Sequence, residues 1–189
     1  GMVKAGDYYY ATGVKFDGID TMKGFLLKFD DSLNVIWEKR YLANEKDFRP
    51  FVMVLKDSII YFSGTYYSPP NYNNVALIAC DTAGSVIWQK SFGVSNINET
   101  HLYLSPTSDN GFILTTLRHN GGWNYRTRVY KLDSLGNTQW TKLLGGTGES
   151  WGLHCVELPN GNYFCGGSRP HPNHGDFTSY QWINILSPT

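Results

Sequence analysis

The chain has 189 residues, with 16 basic and 16 acidic side chains and a formal net charge of zero. A neutral chain argues against a nucleic-acid or anionic-membrane surface, because both need clustered positive charge. Aromatic residues make up 15% and charged residues 17% of the chain, and this balance is typical of a turn-rich β-sheet protein rather than a disordered one.

Short segments of strand character follow one another from the first residues to the last. Each has about five to seven residues of β-branched and aromatic type and is bounded by Gly, Asn, Asp or Pro. No stretch keeps a 3.6-residue apolar period with helix caps, and no apolar run is long enough for a transmembrane helix. In the second quarter of the chain the predicted strands are A (50–56), B (58–64), C (74–80) and D (85–92).

A motif ending in tryptophan recurs at a nearly constant step. DDSLNVIW (30–37), DTAGSVIW (81–88) and DSLGNTQW (133–140) place an aspartate, a tight turn and a tryptophan in the same order, 51 and 52 residues apart. Four strands in a unit of about fifty residues is the size of a β-propeller blade. The sequence therefore predicts an all-β chain that forms a single β-propeller domain of four-stranded antiparallel blades. The predicted blades lie at about 1–44, 45–95, 96–146 and 147–189.

The repeated residues are expected to be structural. The aspartate accepts backbone hydrogen bonds in the C–D turn, the glycine permits the reversal, and the tryptophan ring fills the gap between neighbouring blades. In the first copy Leu33-Asn34 replaces the glycine, and asparagine tolerates the left-handed region. The structural repeat residues are Asp30, Trp37, Asp81, Gly84, Trp88, Asp133, Gly136 and Trp140.

The pattern D-x-x-G-N-x-x-W, between an apolar strand and a Gly-x-Tyr-x-x-Gly-like strand, resembles the β-propeller repeats common in secreted bacterial proteins. It is also similar to the tryptophan-docking repeats of quinoprotein-type propellers. The resemblance covers nearly all of the chain. It implies an extracytoplasmic protein (secreted, periplasmic or at the cell surface) whose leader peptide is not in this chain. It implies no quinone, because the docking motif is structural, and no cofactor is predicted.

The fourth repeat stops before its strand D and tryptophan, so the chain holds about 3.75 blades. Strand C of this repeat, at 178–186, is left as an open edge, which natural proteins usually cover or blunt. Three arrangements remain open. The chain is part of a longer propeller, or it closes as an irregular four-bladed ring with another segment on the edge, or a homodimer completes one larger ring.

The lengths of the connections predict where a ligand binds. The A–B and C–D turns are short, whereas the B–C and D–A connections are long, so the end of the blades that carries them (the long-loop end) is the predicted working surface. Its aromatic and polar side chains can stack on sugars or contact a protein. The candidate ligand-binding residues are Tyr66, Tyr67, Tyr72, Trp123, Tyr125, His171, His174 and Phe177.

The sequence gives less support for metal binding or catalysis than for ligand binding at the long-loop end. His171, His174 and Asp176 are residue types that bind zinc, but their spacing is flexible and prolines interrupt it, so no metal site is predicted. No nucleophile or phosphate-loop motif occurs. His101 and His154 are expected to be structural. The acidic residues Glu99, Glu149 and Glu157, near the D–A loops or on strand A, keep a glycosidase or lyase alternative open.

The three cysteines have no metal-binding spacing and are read as small buried apolar residues.

Taken together, these features predict that the chain is a non-catalytic interaction module of an extracytoplasmic bacterial protein. It is expected to bind a protein partner, or a second copy of itself, through the long-loop end. The alternative is a carbohydrate-active protein, which binds a glycan or, less expectedly, cleaves one.

Overall fold

The computed structural model describes residues 1–16, 22–43, 46–68, 72–94, 96–119, 125–144, 151–170 and 179–188. The chain divides into two compact units, residues 1–96 and residues 97–189. In the described parts every extended regular element is a β-strand, and no helix there is long and apolar enough to cross a membrane.

The first unit consists of two antiparallel sheets. Its first sheet contains, in spatial order, β1 (Met2–Ala5), β2 (Tyr8–Phe16), β3 (Met22–Phe29) and β4 (Val35–Arg40). Its second sheet contains β5 (Leu42–Ala43), β6 (Lys46–Lys56), β7 (Ile59–Ser68), β8 (Tyr72–Cys80) and β9 (Val86–Phe92). Each strand pairs with its neighbour in the sequence, as in a propeller blade.

The second unit repeats this arrangement. Its first sheet contains β10 (Asn98–Pro106), β11 (Phe112–His119), β12 (Tyr125–Leu132) and β13 (Thr138–Leu144). Its second sheet has three strands, β14 (Trp151–Glu157), β15 (Tyr163–Pro170) and β16 (Ser179–Leu186). The prediction of an all-β chain built from blade-like antiparallel sheets is confirmed. Whether the blades form one domain, and whether they belong to a larger ring, stay predictions.

Each unit has an apolar core between the facing sides of its two sheets. In the first unit Tyr10 and Leu26 pack with Phe48 and Phe62, and Trp37 lies against this cluster. In the second unit, a cluster from both sheets packs with Trp140 and Trp182, and its buried members are Ile113, Val129, Leu144, Cys155, Tyr163, Cys165 and Leu186. A tryptophan of β4 or β13 therefore packs into the core of its own unit.

The C–D turns share one hydrogen-bond pattern. Asp133 Oδ1 accepts hydrogen bonds from the backbone N–H groups of Leu135 (2.9 Å) and Asn137 (2.8 Å). Asp30 and Asp81 accept from the residues two and four positions ahead in the same way. The carboxylate thus satisfies backbone donors that no strand partner can reach.

The position of the turn glycine in these repeats has a positive φ. It is 78° at Gly84, and a Cβ there would also lie 2.8 Å from the Trp37 ring, so both backbone and space require glycine. In the first copy the left-handed residue is Leu33, with φ of 64°, and not Asn34 as expected. Asn34 instead donates a side-chain hydrogen bond to Asp30 Oδ2 (3.1 Å), which holds the carboxylate in the turn.

The first long strand of the second, third and fourth sheets has a bulge that the sequence pattern did not predict. The pairing register shifts by one residue in β6 at Phe51, in β10 at Leu102 and in β14 at Leu153. These bulges are 51 residues apart, so they are part of the repeat, and they give an exact way to align one blade with the next.

Two of the three cysteines are joined, contrary to the expectation that they are buried thiols. Cys155 in β14 is directly opposite Cys165 in β15, and the two form a disulfide. Cys80 is a buried free thiol, as expected. The pairing was missed because sequence spacing does not reveal which residues of neighbouring strands face each other.

Candidate functional site

A polar group of side chains covers one side of the third sheet near its long-loop end. Glu99, Arg118 and Arg126 are partners across β10, β11 and β12, and the next row on the same side is His101, Thr116 and Arg128. Cross-strand partners share one side of a sheet, and alternate residues along a strand return to that side. We call these six residues the third-sheet cluster.

The second sheet shows that a blade of this repeat can form without charged residues at the positions of the third-sheet cluster. Aligned on the bulges, its two equivalent rows contain no charged residue, and they are formed by Phe48, Tyr66 and Asn74 and by Pro50, Gly64 and Ala76. Phe48 and Tyr66 are buried in the apolar core of the first unit. Where the second sheet has uncharged residues, the third sheet has three arginines, a glutamate and a histidine.

Glu99 is fully buried and its carboxylate is already bound. Oε1 lies 2.7 Å from Arg128 Nη1, and Oε2 accepts hydrogen bonds from the Tyr130 hydroxyl (2.7 Å) and from Thr116 (3.2 Å). Burial, together with the Glu99 charge, raises the pKa of Tyr130, so the phenol stays a proton donor. A buried ion pair with this many partners fixes the geometry of the strands around it.

His101 is the neutral member of the cluster. Its side chain is buried, and this burial lowers the pKa of the imidazole to about 3. The uncharged form therefore predominates at neutral pH, and His101 adds no positive charge to the arginines.

Arg118 and Arg126 face each other directly across β11 and β12. Like charges in such a pair repel, because opposed Cβ atoms of an antiparallel pair are only about 5 Å apart. The Nε atoms of both are buried and have no hydrogen-bond acceptor among the described residues. Glu99 is on the same row. Its Oε2 accepts from Tyr130 and Thr116, whereas Oε1 is 2.7 Å from Arg128 Nη1 in an ion pair and accepts no hydrogen bond of good geometry.

An aromatic pair lies one register step closer to the long loop. The rings of His119 and Tyr125 are stacked, with centroids 4.5 Å apart and planes inclined by 12°. They belong to the other side of the sheet from the arginines, since neighbouring residues alternate sides. The end of the third sheet therefore presents flat rings and guanidinium groups within two residues of each other.

The structure describes four of the eight predicted ligand-binding residues. Tyr66, Tyr67 and Tyr72 lie in β7 and β8 rather than in a loop, since the ladder continues to Ser68 and Tyr72. Tyr66 is buried in the core, which removes it from a ligand surface, whereas Tyr67 is 47% exposed. Tyr125 is stacked on His119. Four of them lie outside the described residues, namely Trp123, His171, His174 and Phe177.

The other acidic and metal-binding candidates are not at this site. Glu157 accepts hydrogen bonds from the backbone and hydroxyl of Ser108 (2.6 and 2.9 Å), in the A–B turn at the opposite end of the sheet. Glu149 and Asp176 fall outside the described residues. Within the described ranges, no three His, Cys, Asp or Glu side chains are grouped so that they could hold a metal ion.

The first sheet has a second polar region at its own long-loop end. A cavity of about 160 Å³ lies there and is lined by Lys15, Phe16, Lys23, Phe25, Glu38 and Arg40. Lys15 and Glu38 form an exposed ion pair of 3.6 Å, which contributes little stability. Phe16 is 69% exposed, so this cavity also combines an aromatic ring with charged groups.

Sequence comparisons identify no relative. No protein-family model matches the chain, and no curated protein matches it. The structure, in contrast, is similar to solved glycoside hydrolases of family GH43.

One similar structure is the GH43 β-1,3-galactosidase BT0265, with 15% identity, a TM-score of 0.56, and coverage of 90% of this chain and 39% of that one. Another is the Bacteroides ovatus xyloglucan PUL GH43B, with 11% identity, a TM-score of 0.52, and coverage of 97% and 39%. A third, a thermostable family-43 glycoside hydrolase, has 10% identity, a TM-score of 0.54, and coverage of 96% and 66%.

The chain thus spans about two fifths of the length of the first two proteins and 66% of the third. At such low identity the likeness establishes the fold and not the activity. The four sheets of this chain match part of the β-propeller of these enzymes.

Proposed function

We propose that this chain is a carbohydrate-binding protein of the β-propeller fold and that a glycan contacts its long-loop end. The observation that carries the proposal is the stacked His119–Tyr125 pair at the long-loop end of the third sheet, one register step beyond the arginines and on the other side. Sugar sites combine flat apolar rings with a few polar groups that fix orientation. The names of the similar structures, a β-1,3-galactosidase and a xyloglucan-related enzyme among them, support the same class of ligand.

The proposal is for binding and not for hydrolysis. Glycoside hydrolysis commonly uses two carboxyl groups held at a set separation on either side of the bond. Glu99, the acidic residue of the third-sheet cluster, is buried and engaged by Arg128 and Tyr130. Its carboxylate is therefore committed to the ion pair.

An extracytoplasmic location belongs to the same proposal. Disulfides form and persist in oxidising compartments and are rare in the cytosol of most organisms. The Cys155–Cys165 bond supports a secreted, periplasmic or cell-surface protein, where polysaccharides are also found.

The experiment compares two stacked aromatic pairs at opposite ends of the blades. Tyr125→Ala removes the pair at the long-loop end, and Tyr9→Ala removes the Tyr9–Phe29 pair (5.4 Å, 16°) at the short-turn end of the first sheet. Binding to a glycan array, followed by calorimetry on the best ligand, is expected to weaken about tenfold in Tyr125→Ala. Tyr9→Ala is expected to bind like the wild type. Equal affinity in both variants, or the absence of any glycan ligand, would contradict the proposal.

A further inference from the structure

We propose that Arg118 and Arg126 form an anion subsite that binds the carboxylate or sulfate group of an acidic glycan. This inference rests on the proposed function and adds to it the chemical class of the ligand. It is carried by the geometry of the two arginines in the third sheet.

The first argument is the unusual pairing. Arg118 and Arg126 are direct cross-strand partners, which places two positive charges side by side. Their buried Nε–H groups have no acceptor among the described residues. Buried donors in folded proteins are nearly always satisfied, and an orphan donor points to a partner such as a water or an ion. An anion would satisfy both donors and remove the repulsion.

The second argument is the charge balance of the third-sheet cluster. The cluster contains three positively charged guanidinium groups and one negatively charged carboxylate, that of Glu99. His101 is neutral at pH 7 and does not change this balance. That carboxylate contacts Arg128, at 2.7 Å, and its other oxygen is bound by Tyr130 and Thr116. Among the described residues, neither Arg118 nor Arg126 forms an ion pair with an acid.

The third argument comes from the repeat. The positions of Arg118 and Arg126 are occupied by Tyr66 and Asn74 in the second sheet, which forms the same ladder without any charge. The fold therefore does not require arginine at either position. Both arginines also lie at the long-loop end, one register step from the His119–Tyr125 pair, which is on the other side of the sheet.

The geometry favours the anionic group of a single sugar in an acidic glycan over the dispersed phosphates of a nucleic acid. Arginine presents a planar fork of donors that matches a carboxylate or sulfate in a bidentate manner. The His119–Tyr125 rings are on the other side of the sheet, so they would contact a different part of the glycan from the anionic group. Nucleic acids are held by many dispersed phosphate contacts, and a chain with zero net charge is poorly suited to them.

The test measures binding of wild-type protein to three soluble probes: polygalacturonate, dextran sulfate and neutral xyloglucan. Arg118→Gln and Arg126→Gln each remove one charge and one donor fork. Lys142→Gln is the matched control, because it removes one charge from the same sheet on strand β13. Urea unfolding of every variant establishes that it is folded.

We expect the wild type to bind one of the two acidic probes, and the choice of probe identifies carboxylate or sulfate as the ligand group. Each arginine variant should lose about tenfold or more in affinity for it, whereas Lys142→Gln should stay within about twofold. Arg118→Lys should not restore binding fully, because lysine keeps the charge but lacks the bidentate fork. Binding should also weaken between about 20 and about 200 mM NaCl.

Other results would overturn the inference in distinguishable ways. Tight binding of xyloglucan that is unaffected by either arginine variant would leave glycan binding standing and remove the anion subsite. Variants that lose stability but bind acidic probes normally would assign the arginines to an acid within the protein. Arginine-dependent binding of duplex DNA in preference to both acidic probes would replace a glycan by a nucleic acid. Failure to bind any glycan would overturn both proposals.

Discussion

His101 illustrates how one substitution within a repeat changes the chemistry of a blade. The equivalent residue of the second sheet is Pro50, an apolar residue with no titratable group. His101 lies on the same side of the sheet as Glu99 and Arg128, and its burial lowers the pKa to about 3 from an ordinary 6.5. The folded protein therefore resists protonation of this imidazole.

This burial predicts a pH dependence of stability. In the unfolded chain His101 takes up a proton near pH 6.5, but in the folded chain only near pH 3. Its contribution is therefore complete above pH 6.5 and is lost as the pH falls toward 3, with a slope of at most about 1.4 kcal/mol per pH unit. Urea unfolding between pH 7 and pH 4 should show this slope, and His101→Gln should flatten it.

Asp109 affects the pH dependence of stability in a lower pH range than His101. Its partial burial favours the protonated acid, but hydrogen bonds from Lys131, Thr107 and Gly111 outweigh this and lower its pKa to about 2. Its contribution to stability is present above about pH 4 and is lost between about pH 4 and pH 2, below the window of His101. If the free energy of unfolding changes with pH above pH 4 with the same slope in the wild type and in His101→Gln, the pH dependence does not come from His101.

Single residues differed in how far the sequence could predict them. The turn aspartates were predictable because their hydrogen bonds are local, reaching residues two and four positions ahead. The partners of Glu99 are distant in the sequence, since Thr116 and Tyr130 belong to other strands. Their meeting depends on the register of three strands, and a bulge at Leu102 shifts that register.

The strands themselves were predictable in number and order more than in length. The repeat step and the short turns indicated four meandering sheets, because local turn chemistry selects hairpins. The sequence pattern predicts that strand B of the second sheet ends at Gly64, whereas β7 continues to Ser68. A glycine is a common strand boundary, but Thr65, Tyr66 and Tyr67 all favour extended backbone and continue the ladder.

The disulfide between β14 and β15 is predicted to stabilise its hairpin. It closes a loop with a sequence separation of 10, and restricting such a loop in the unfolded chain contributes roughly 2–3 kcal/mol. Reduction should lower the free energy of unfolding in urea by this amount. Equal stability of the oxidised and reduced proteins would contradict it.

Counting thiols provides the control for that experiment. Cys80 is buried, and burial raises its pKa to about 12, so it should resist alkylation in the folded protein. Unfolding without reductant should expose one reactive thiol, and unfolding with reductant should expose all three. Three reactive thiols without reductant would show that Cys155 and Cys165 are not joined.

At the scale of the whole molecule, the fourth sheet differs from the others in what it leaves uncovered. Its described part has three strands, and β16 pairs there with β15. The side of this sheet away from the core of the second unit exposes four apolar residues, namely Val156 (37%), Phe164 (36%), Ile183 (64%) and Ile185 (62%). The edge strand SYQWINIL contains no charged residue to prevent pairing.

This surface leads to a proposal about assembly, that a second copy of the chain covers it. In the described part of the chain β16 pairs only with β15, and its other edge, next to this apolar row, can add a strand from another molecule, which buries the isoleucines. A sequence repeat cannot reveal such an event, because each blade contains the same information whether its ring closes within one chain or between two. The protein partner predicted from the sequence is then another copy of this chain.

Self-association of the 189-residue chain is the corresponding prediction. Light scattering after size exclusion should show the mass rising from the 21.4 kDa of one chain toward twice this value as concentration increases. Ile183→Lys together with Ile185→Lys should keep the protein monomeric, because charges on the row cannot be buried against a second copy. Val14→Lys, an exposed apolar residue (38%) in the first sheet, is the matched control and should associate like the wild type. A wild-type mass that stays at one chain over the whole concentration range would exclude the dimer and direct attention to what else covers β16.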